Sequence, residues 1–224
     1  MLVLPGQVVL SVDALPAQIT LGPGLIQTQD GLVSVYAGIL HTNKTGEYWV
    51  DSNRKRHVPA LGEPVIGIIT AKTSDYYKVD IGTAMEAHLS TLAFEGATKR
   101  NKPNLSIGAL VYGRLTLANR DMEPEMECVH GVTAKADGFG ELKEGFMVTC
   151  SIGLCRRLLD PKDAILRVIG DVVAYEVAVG MNGRVWVNSA TSTTTIGIVR
   201  VIKDSETVWD EKAVKKMAKK VLKS

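Results

Sequence analysis

Gly62-Glu-Pro-Val65-Ile-Gly67-Ile-Ile69 and Gly108-Ala-Leu-Val111-Tyr-Gly113-Arg-Leu115 repeat one pattern, G-x-x-V-x-G-x-[IL], with Tyr76-Tyr-Lys-Val-Asp-Ile81 between them. A glycine that can turn, followed by alternating β-branched and small residues, predicts a turn feeding a strand, and the second glycine predicts a bend or bulge inside that strand. Tyr76–Ile81 is a further strand, and Glu95-Gly-Ala-Thr-Lys-Arg-Asn-Lys-Pro-Asn104 is a polar loop. Four or five short strands with a kinked entry strand, in a module running over residues 59–130, predict a small OB-type barrel.

The flanks are built differently. Residues 1–58 hold Gln7-Val-Val-Leu-Ser-Val12, the turn Gly22-Pro-Gly24, Leu32–Leu40 and Glu47-Tyr-Trp-Val50, which is the period-two pattern of a small β-domain. The basic stretch Arg54-Lys55-Arg56-His57 before Pro59 closes it as a turn or linker. Residues 131–224 change character: Ile165–Ile169 has a mixed pattern, Val172–Val179 and Arg184-Val-Trp-Val187 resemble strands, and Gly180-Met-Asn-Gly183 sits at a tight connection. The end is a helix in which Val214, Met217, Ala218 and Val221 recur at three to four residues with lysines on the other face. The fold class expected is therefore mainly β with an α+β C-terminal part.

Composition narrows the function. No uncharged apolar run approaches the ~18 residues that span a bilayer, and Met1–Gly6 carries no basic stretch of the kind that opens a secretory leader, so an intracellular protein without a membrane association is expected. Removing the six lysines that follow Glu211 leaves 20 basic against 24 acidic residues, so the body of the chain has a net charge of −4. A nucleic-acid site on that body has to be a local patch. Cys128, Cys150 and Cys155 with His130 could supply four zinc ligands, but the spacing lacks the close pairs of a structural zinc knuckle, and free thiols are expected. Asp121, Glu123, Glu125 and Glu127 are interrupted by Pro124, so a loop rather than an acid/base cluster is expected. No nucleophile–base arrangement and no phosphate-binding glycine loop occurs, so no catalytic residue, metal or cofactor is expected.

The central module resembles an S1 RNA-binding domain, and the C-terminal one resembles a KH domain whose G-x-x-G loop is Gly180-Met-Asn-Gly183. With Leu21-Gly-Pro-Gly-Leu25, Tyr48-Trp-Val50, Lys102-Pro-Asn-Leu105 and Asp121-Met-Glu-Pro-Glu125, the chain as a whole resembles the KH-bearing cap subunits of the RNA exosome, most closely the smaller eukaryotic one. That resemblance implies a non-catalytic subunit that binds single-stranded RNA beside a ring of ribonuclease PH-like proteins and other cap proteins, in nucleus, nucleolus and cytoplasm. The alternative is a free-standing S1/KH factor. The RNA contacts expected are Lys99, Arg100 and Lys102 in the polar loop, Arg114, and Tyr77 as a stacking surface. Met181 and Asn182 replace the usual basic residue of the KH loop. Gly180, Asn182, Gly183, Arg184 and Trp186 are therefore expected to be structural, with Asn182 bonding its own backbone, Gly183 at positive φ and Trp186 packing between modules. Tyr48, Trp49 and Val50 are the expected assembly surface. The lysine face of the last helix reads as solvated.

Overall fold

A computed structural model describes residues 1–12, 19–43, 46–52, 56–119, 121–208 and 211–222. Arg54 and Lys55 of the basic linker lie outside the described residues. The chain divides into two compact units, Met1–Arg54 and Lys55–Ser224.

The first unit is made of two small sheets. One has the order β1 (Leu2–Val3), β6 (Gly38–Thr42), β7 (Glu47–Asp51), β3 (Thr20–Leu21); the other has β2 (Val8–Ser11), β5 (Gly31–Ser34), β4 (Leu25–Thr28). Its core is small, with Val3, Leu25 and Val50 at the centre and Val9, Leu40 and Tyr48 around them. The Gly22-Pro-Gly24 turn lies against β7: a Cβ on Gly22 would meet the Trp49 Cβ at 2.7 Å, so no other residue fits that approach.

The second unit opens with a barrel of β8 (Pro64–Lys72), β9 (Tyr76–Asp80), β10 (Ala87–Phe94), β11 (Leu110–Leu117) and β12 (Glu125–Cys128). Strand β10 pairs in parallel with β12, and β12 pairs back onto β11, which closes the sheet. The repeated motif explains part of this closure. β8 and β11 run antiparallel, with Gly67 opposite Val111 and Gly113 opposite Val65, so each motif's glycine faces the other's valine. The expectation of a bend at these glycines is corrected. Gly67 is there because a Cβ would stand 2.1 Å from Val79 Cγ1, and Gly113 because one would meet the Glu127 carbonyl at 2.6 Å. The irregularity in β8 lies between Ile69 and Ala71 instead. Val65, Ile69, Tyr77, Val79, Ile81, Leu89, Val111, Leu115 and Met126 fill the barrel. A sixth strand, β13 (Gly140–Leu142), pairs with β11, so this sheet continues past residue 130, where the sequence pattern had suggested its end.

The C-terminal part runs β14 (Phe146–Thr149), α1 (Ile152–Leu159), α2 (Ile165–Gly170), β15 (Tyr175–Gly180), β16 (Arg184–Ser189), α3 (Ser192–Asp204) and α4 (Glu211–Leu222), with sheet order β14-β16-β15. α1 starts where the Ser151 side chain accepts from Leu154 N, and Arg156 and Arg157 sit in its last turn, where cations suit the helix C-terminus. α3 is rich in β-branched residues, yet Thr195, Ile198, Val199 and Ile202 recur at helical spacing and all are buried; packing overrides propensity. The mixed stretch Ile165–Ile169 is helix α2 for the same reason, with Ile165, Val168 and Ile169 inward.

Candidate nucleic-acid interface

The polar loop between β10 and β11 is held at its C-terminal end. Tyr77 OH donates to the Pro103 carbonyl and accepts from Leu105 N at 3.3 Å. Lys102 Nζ donates to the Ser74 carbonyl at 3.0 Å and pairs with Asp75 at 3.3 Å, while Thr91 N donates to the Asp75 carbonyl at 2.9 Å. Lys72 reaches Asn104 Oδ1. At the tip, Thr98 and Asn101 exchange backbone hydrogen bonds of 3.0 and 3.1 Å, and Asn101 N also donates to Thr98 Oγ1. Lys99 and Arg100 are the two central residues of that turn and are exposed. Of the three cations named from the sequence, two are thus displayed on a stiff turn and the third, Lys102, is an anchor. The Asp75 carboxyl is held below its ordinary range by hydrogen bonds from Ser74 and Lys102, then by the charges of Lys102 and Lys99.

The stacking expectation for Tyr77 is corrected. Adjacent strand residues face opposite ways, and Tyr77 is the inward one, with 0% of its surface exposed. Its outward neighbour Tyr76 stacks on His88, ring centroids 4.7 Å apart, and His88 Nε2 lies 2.7 Å from Glu123 Oε2. A period-two reading places Tyr76 and Tyr77 on opposite faces but does not say which face is the core. The groove beside this pair, about 430 Å³, is lined by Asp75, Glu125 and Glu127 as well. The groove is thus acidic in composition, in contrast to the cationic turn, although Asp75 and Glu127 are paired with Lys102 and Arg114.

Arg114 is engaged within the barrel. Its guanidinium donates from Nε to Glu127 Oε1 at 2.8 Å and to the Val129 carbonyl at 3.2 Å, with a second contact from Nη2 to Glu127. Gly131 makes room for it: a Cβ there would lie 2.5 Å from the guanidinium. The expectation of a loop over the acidic run is corrected, because Glu125–Cys128 is strand β12; Glu123 meets His88 and Glu127 meets Arg114. The cysteines lie in two different cores, Cys128 in the barrel and Cys155 in the C-terminal part, so they form no joint zinc site. Burial pushes the Cys150 thiol up to about 11 and the Cys155 thiol up to about 12. Among the described residues no group of three or more His, Cys, Asp or Glu side chains is placed to hold a metal ion, and no helix is long and apolar enough to cross a membrane.

The tetrad Gly180–Gly183 is a hairpin turn between β15 and β16, and it is pressed onto the barrel. The expectation that Asn182 bonds its own backbone is corrected. Its Nδ2 donates to the Ile66 carbonyl at 2.8 Å and the Ile81 carbonyl at 2.9 Å, and its Oδ1 accepts from Ile66 N at 3.3 Å. The register explains why: β8 pairs Ile68 with Asp80, so Ile66 would face residue 82, where β9 has already ended and Gly82 turns away at φ +77°. The Asn182 amide supplies the donor and acceptor that the missing strand residue would have given. Arg184 completes the seam, donating from Nη1 to the Asp80 carbonyl at 2.6 Å and the Ile66 carbonyl at 3.2 Å, and from Nη2 to the Asp80 carboxylate at 2.6 Å. Met181 N donates to the Pro64 carbonyl, and Gly183 has φ +79°. Ile66, Ala178 and Trp186 form a shared core with Leu110, Tyr112, Leu142 and Met147 packed against it. Trp186 Nε1 donates to the Glu144 carbonyl at 3.0 Å. The side chains of Asn182 and Arg184 and the Met181 N–H are thus committed to the barrel. The parts of the seam contributed by the barrel, Ile66, Asp80 and Ile81, carry no sequence signal of their own.

On the first unit, Val50 belongs to the core at 3% exposure rather than to a docking surface; Tyr48 is half-buried and Trp49 stacks on His41 at 5.6 Å. The exposed apolar residues are elsewhere. Leu2 and Ile39 stand opposite each other on β1 and β6, both outward, at 72% and 48% exposure, and Leu4, Val8 and Ile26 are also exposed.

Family profiles match most of the chain between residues 19 and 193. Residues 57–140 match the profile described as exosome complex component RRP40, S1 domain; residues 145–193 match a KH domain; and residues 19–56 match the Exosome complex exonuclease Rrp40 N-terminal domain. A protein of Schizosaccharomyces pombe named exosome complex component rrp40 is 44% identical over 210 residues, covering 92% of this chain and 88% of that protein. The human exosome complex component RRP40 is 41% identical, covering 84% of this chain and 71% of its own length, and the Saccharomyces cerevisiae one is 34% identical, covering 92% and 89%. An N-terminal β domain, a closed S1 barrel and a KH part, in that order and at that identity over most of both chains, place this protein in the RRP40 family of exosome complex components.

Proposed function

We propose that this chain is a non-catalytic RNA-binding cap subunit of an RNA exosome, which helps hold a ribonuclease PH-like ring together and guides single-stranded RNA toward it for 3'-5' processing and decay. The observation that carries this reading is the division of labour in the second unit. The KH turn is consumed in welding the KH part to the barrel, and the solvent-facing cations of the anchored loop, Lys99 and Arg100, are left to meet RNA. Two cations on a stiff turn contact phosphates without choosing a sequence, which suits a subunit that guides varied RNA. Outward Leu2, Leu4 and Ile39 on a domain with so small a core support a life in an assembly, because contiguous exposed apolar surface marks a protein contact. Nuclear, nucleolar and cytoplasmic placement follows from the same family reading.

The test is an affinity pull-down of tagged chain from its native extract after nuclease treatment, followed by native mass spectrometry. A stable complex with ring proteins and two other cap proteins is expected. Recovery of the chain alone, or only with partners lost on nuclease treatment, would instead favour a free-standing S1/KH factor. Within the complex, Lys99→Ala with Arg100→Ala should flatten the salt dependence of RNA binding by about 1.4 in log–log slope, about 0.7 per phosphate contact on a single strand.

A further inference from the structure

We infer that the outward face of α4 is a second RNA-backbone contact, separate from the barrel loop. Lys212, Lys215, Lys216, Lys219 and Lys220 are all exposed. At 3.6 residues per turn they fall within an arc of roughly 140°, and at 1.5 Å per residue they extend over about 12 Å of helix. The opposite arc is committed to the core: Val214 and Ala218 are buried at 3% and 0% exposure, Met217 packs beside them, and α4 lies against α2 and α3.

Such a face is costly without a partner. Lys212 with Lys215 and Lys216, Lys216 with Lys219 and Lys220, and Lys215 with Lys219 are all i,i+3 or i,i+4 neighbours, and like charges at these spacings repel. No ion pair with a described residue relieves Lys215, Lys216, Lys219 or Lys220. Asp210 and Glu211 precede the lysines, and beyond Glu211, its first residue, α4 carries no acidic residue. The rest of the chain is net negative, so the positive charge of the molecule is concentrated at this helix.

The chemistry of the face selects the partner. A membrane would need an apolar stripe to insert, and that stripe is already buried. A protein interface has an apolar or aromatic centre and is depleted in lysine, whereas the exposed residues of α4 among those described are all lysine. A polyanion needs only charge. Lacking arginine, amide and aromatic side chains, the face cannot read bases, so the contact is to phosphates and independent of sequence.

This inference deepens the RNA reading above and rests on it, so the experiment separates the two. The full chain would be titrated with a labelled uridine oligonucleotide across a salt series, in parallel with a Lys215→Gln, Lys216→Gln, Lys219→Gln, Lys220→Gln variant and with the Lys99→Ala, Arg100→Ala variant. Glutamine keeps helix propensity close to that of lysine, and circular dichroism with a thermal melt checks that α4 persists; a Lys216→Gln, Lys219→Gln pair serves if the fourfold variant does not fold. Loss of two to four phosphate contacts should lower the slope of log affinity against log salt by roughly 1.5–3 and weaken low-salt binding by an order of magnitude or more. A folded helix variant with the parent's slope and affinity overturns the inference while leaving the loop reading intact if the loop variant has lost slope. A parent chain that binds no RNA overturns both. Binding to anionic vesicles that the helix variant loses, with RNA binding unchanged, reassigns the face to a membrane surface.

Discussion

Replacing Asn182 with alanine removes three hydrogen bonds from the seam between barrel and KH part. The Ile66 carbonyl keeps its bond from Arg184, so the groups stripped of the amide are Ile66 N–H and the Ile81 carbonyl. A polar group left unsatisfied away from water costs about 1–3 kcal/mol, so the truncation should destabilise the larger unit by about 3 kcal/mol. For a unit of this size that is a fall in melting temperature of roughly 6–12 °C. Differential scanning calorimetry of the full chain measures it, and amide exchange locates it, because Ile66 N–H should exchange faster while the barrel interior stays protected. Asn182→Asp should be at least as damaging despite its shape, since it sets carboxylate lone pairs against the two carbonyl oxygens that now accept from Nδ2. The reasoning is refuted if Asn182→Ala melts within a degree or so of the parent, or if its main effect is weaker RNA binding at unchanged stability, as a nucleotide-contacting KH loop would require.

Further outcomes follow from the same seam and barrel. At Asp80, burial raises the carboxyl, but hydrogen bonds from Arg184 and Gly82 N–H and the Arg184 charge outweigh it and hold the group below its ordinary value of 3.8. Its contribution is therefore present above about pH 4 and lost as pH falls through the lower folded value, and an Arg184→Met variant should show a weaker acid dependence in pH-resolved urea titrations. His57 is pushed down to about 4, chiefly by burial and then by the Arg156 charge, whereas the unfolded chain protonates near 6.5. Its stabilising effect is complete above that pH and declines toward pH 4, offset in part by Glu63, 3.5 Å away, whose carboxyl burial raises. His57→Gln should flatten that part of the stability profile; a profile as steep as the parent's would rule His57 out as its source. Gly67→Ala should destabilise by about 1–3 kcal/mol through overpacking against Val79, read as a lower urea midpoint at unchanged m-value.

Much of this architecture is legible along the chain. Period-two runs located β2, β7, β8, β9, β11 and β16, the three-to-four spacing of Val214, Met217 and Ala218 located α4, and the motif blocks led to the family. Helices α2 and α3 were harder, because Ile165–Ile169 and Thr195–Ile202 have the composition of strands and become helices by burying one face each. The loop cations are visible as a group in the sequence, but their structural roles are not separable there: Lys102 is held by Asp75 and the Ser74 carbonyl, and those residues are more than 25 positions away.

The sequence by itself determined the order of the three parts, three of the five barrel strands but not β10 and β12 that close it, the absence of a conventional basic KH loop, and where the lysines gather. Only the tertiary structure decided that Tyr77 is inward and Tyr76 outward, that Arg114 belongs to Glu127, and that Asn182 and Arg184 bond a barrel more than 100 residues earlier in the chain. Periodicity and turn chemistry act between neighbours and so are written locally. Whether a polar side chain is free or spent depends on the donors and acceptors that folding brings to it, and here these were set by a strand that ends two residues too soon to satisfy Ile66.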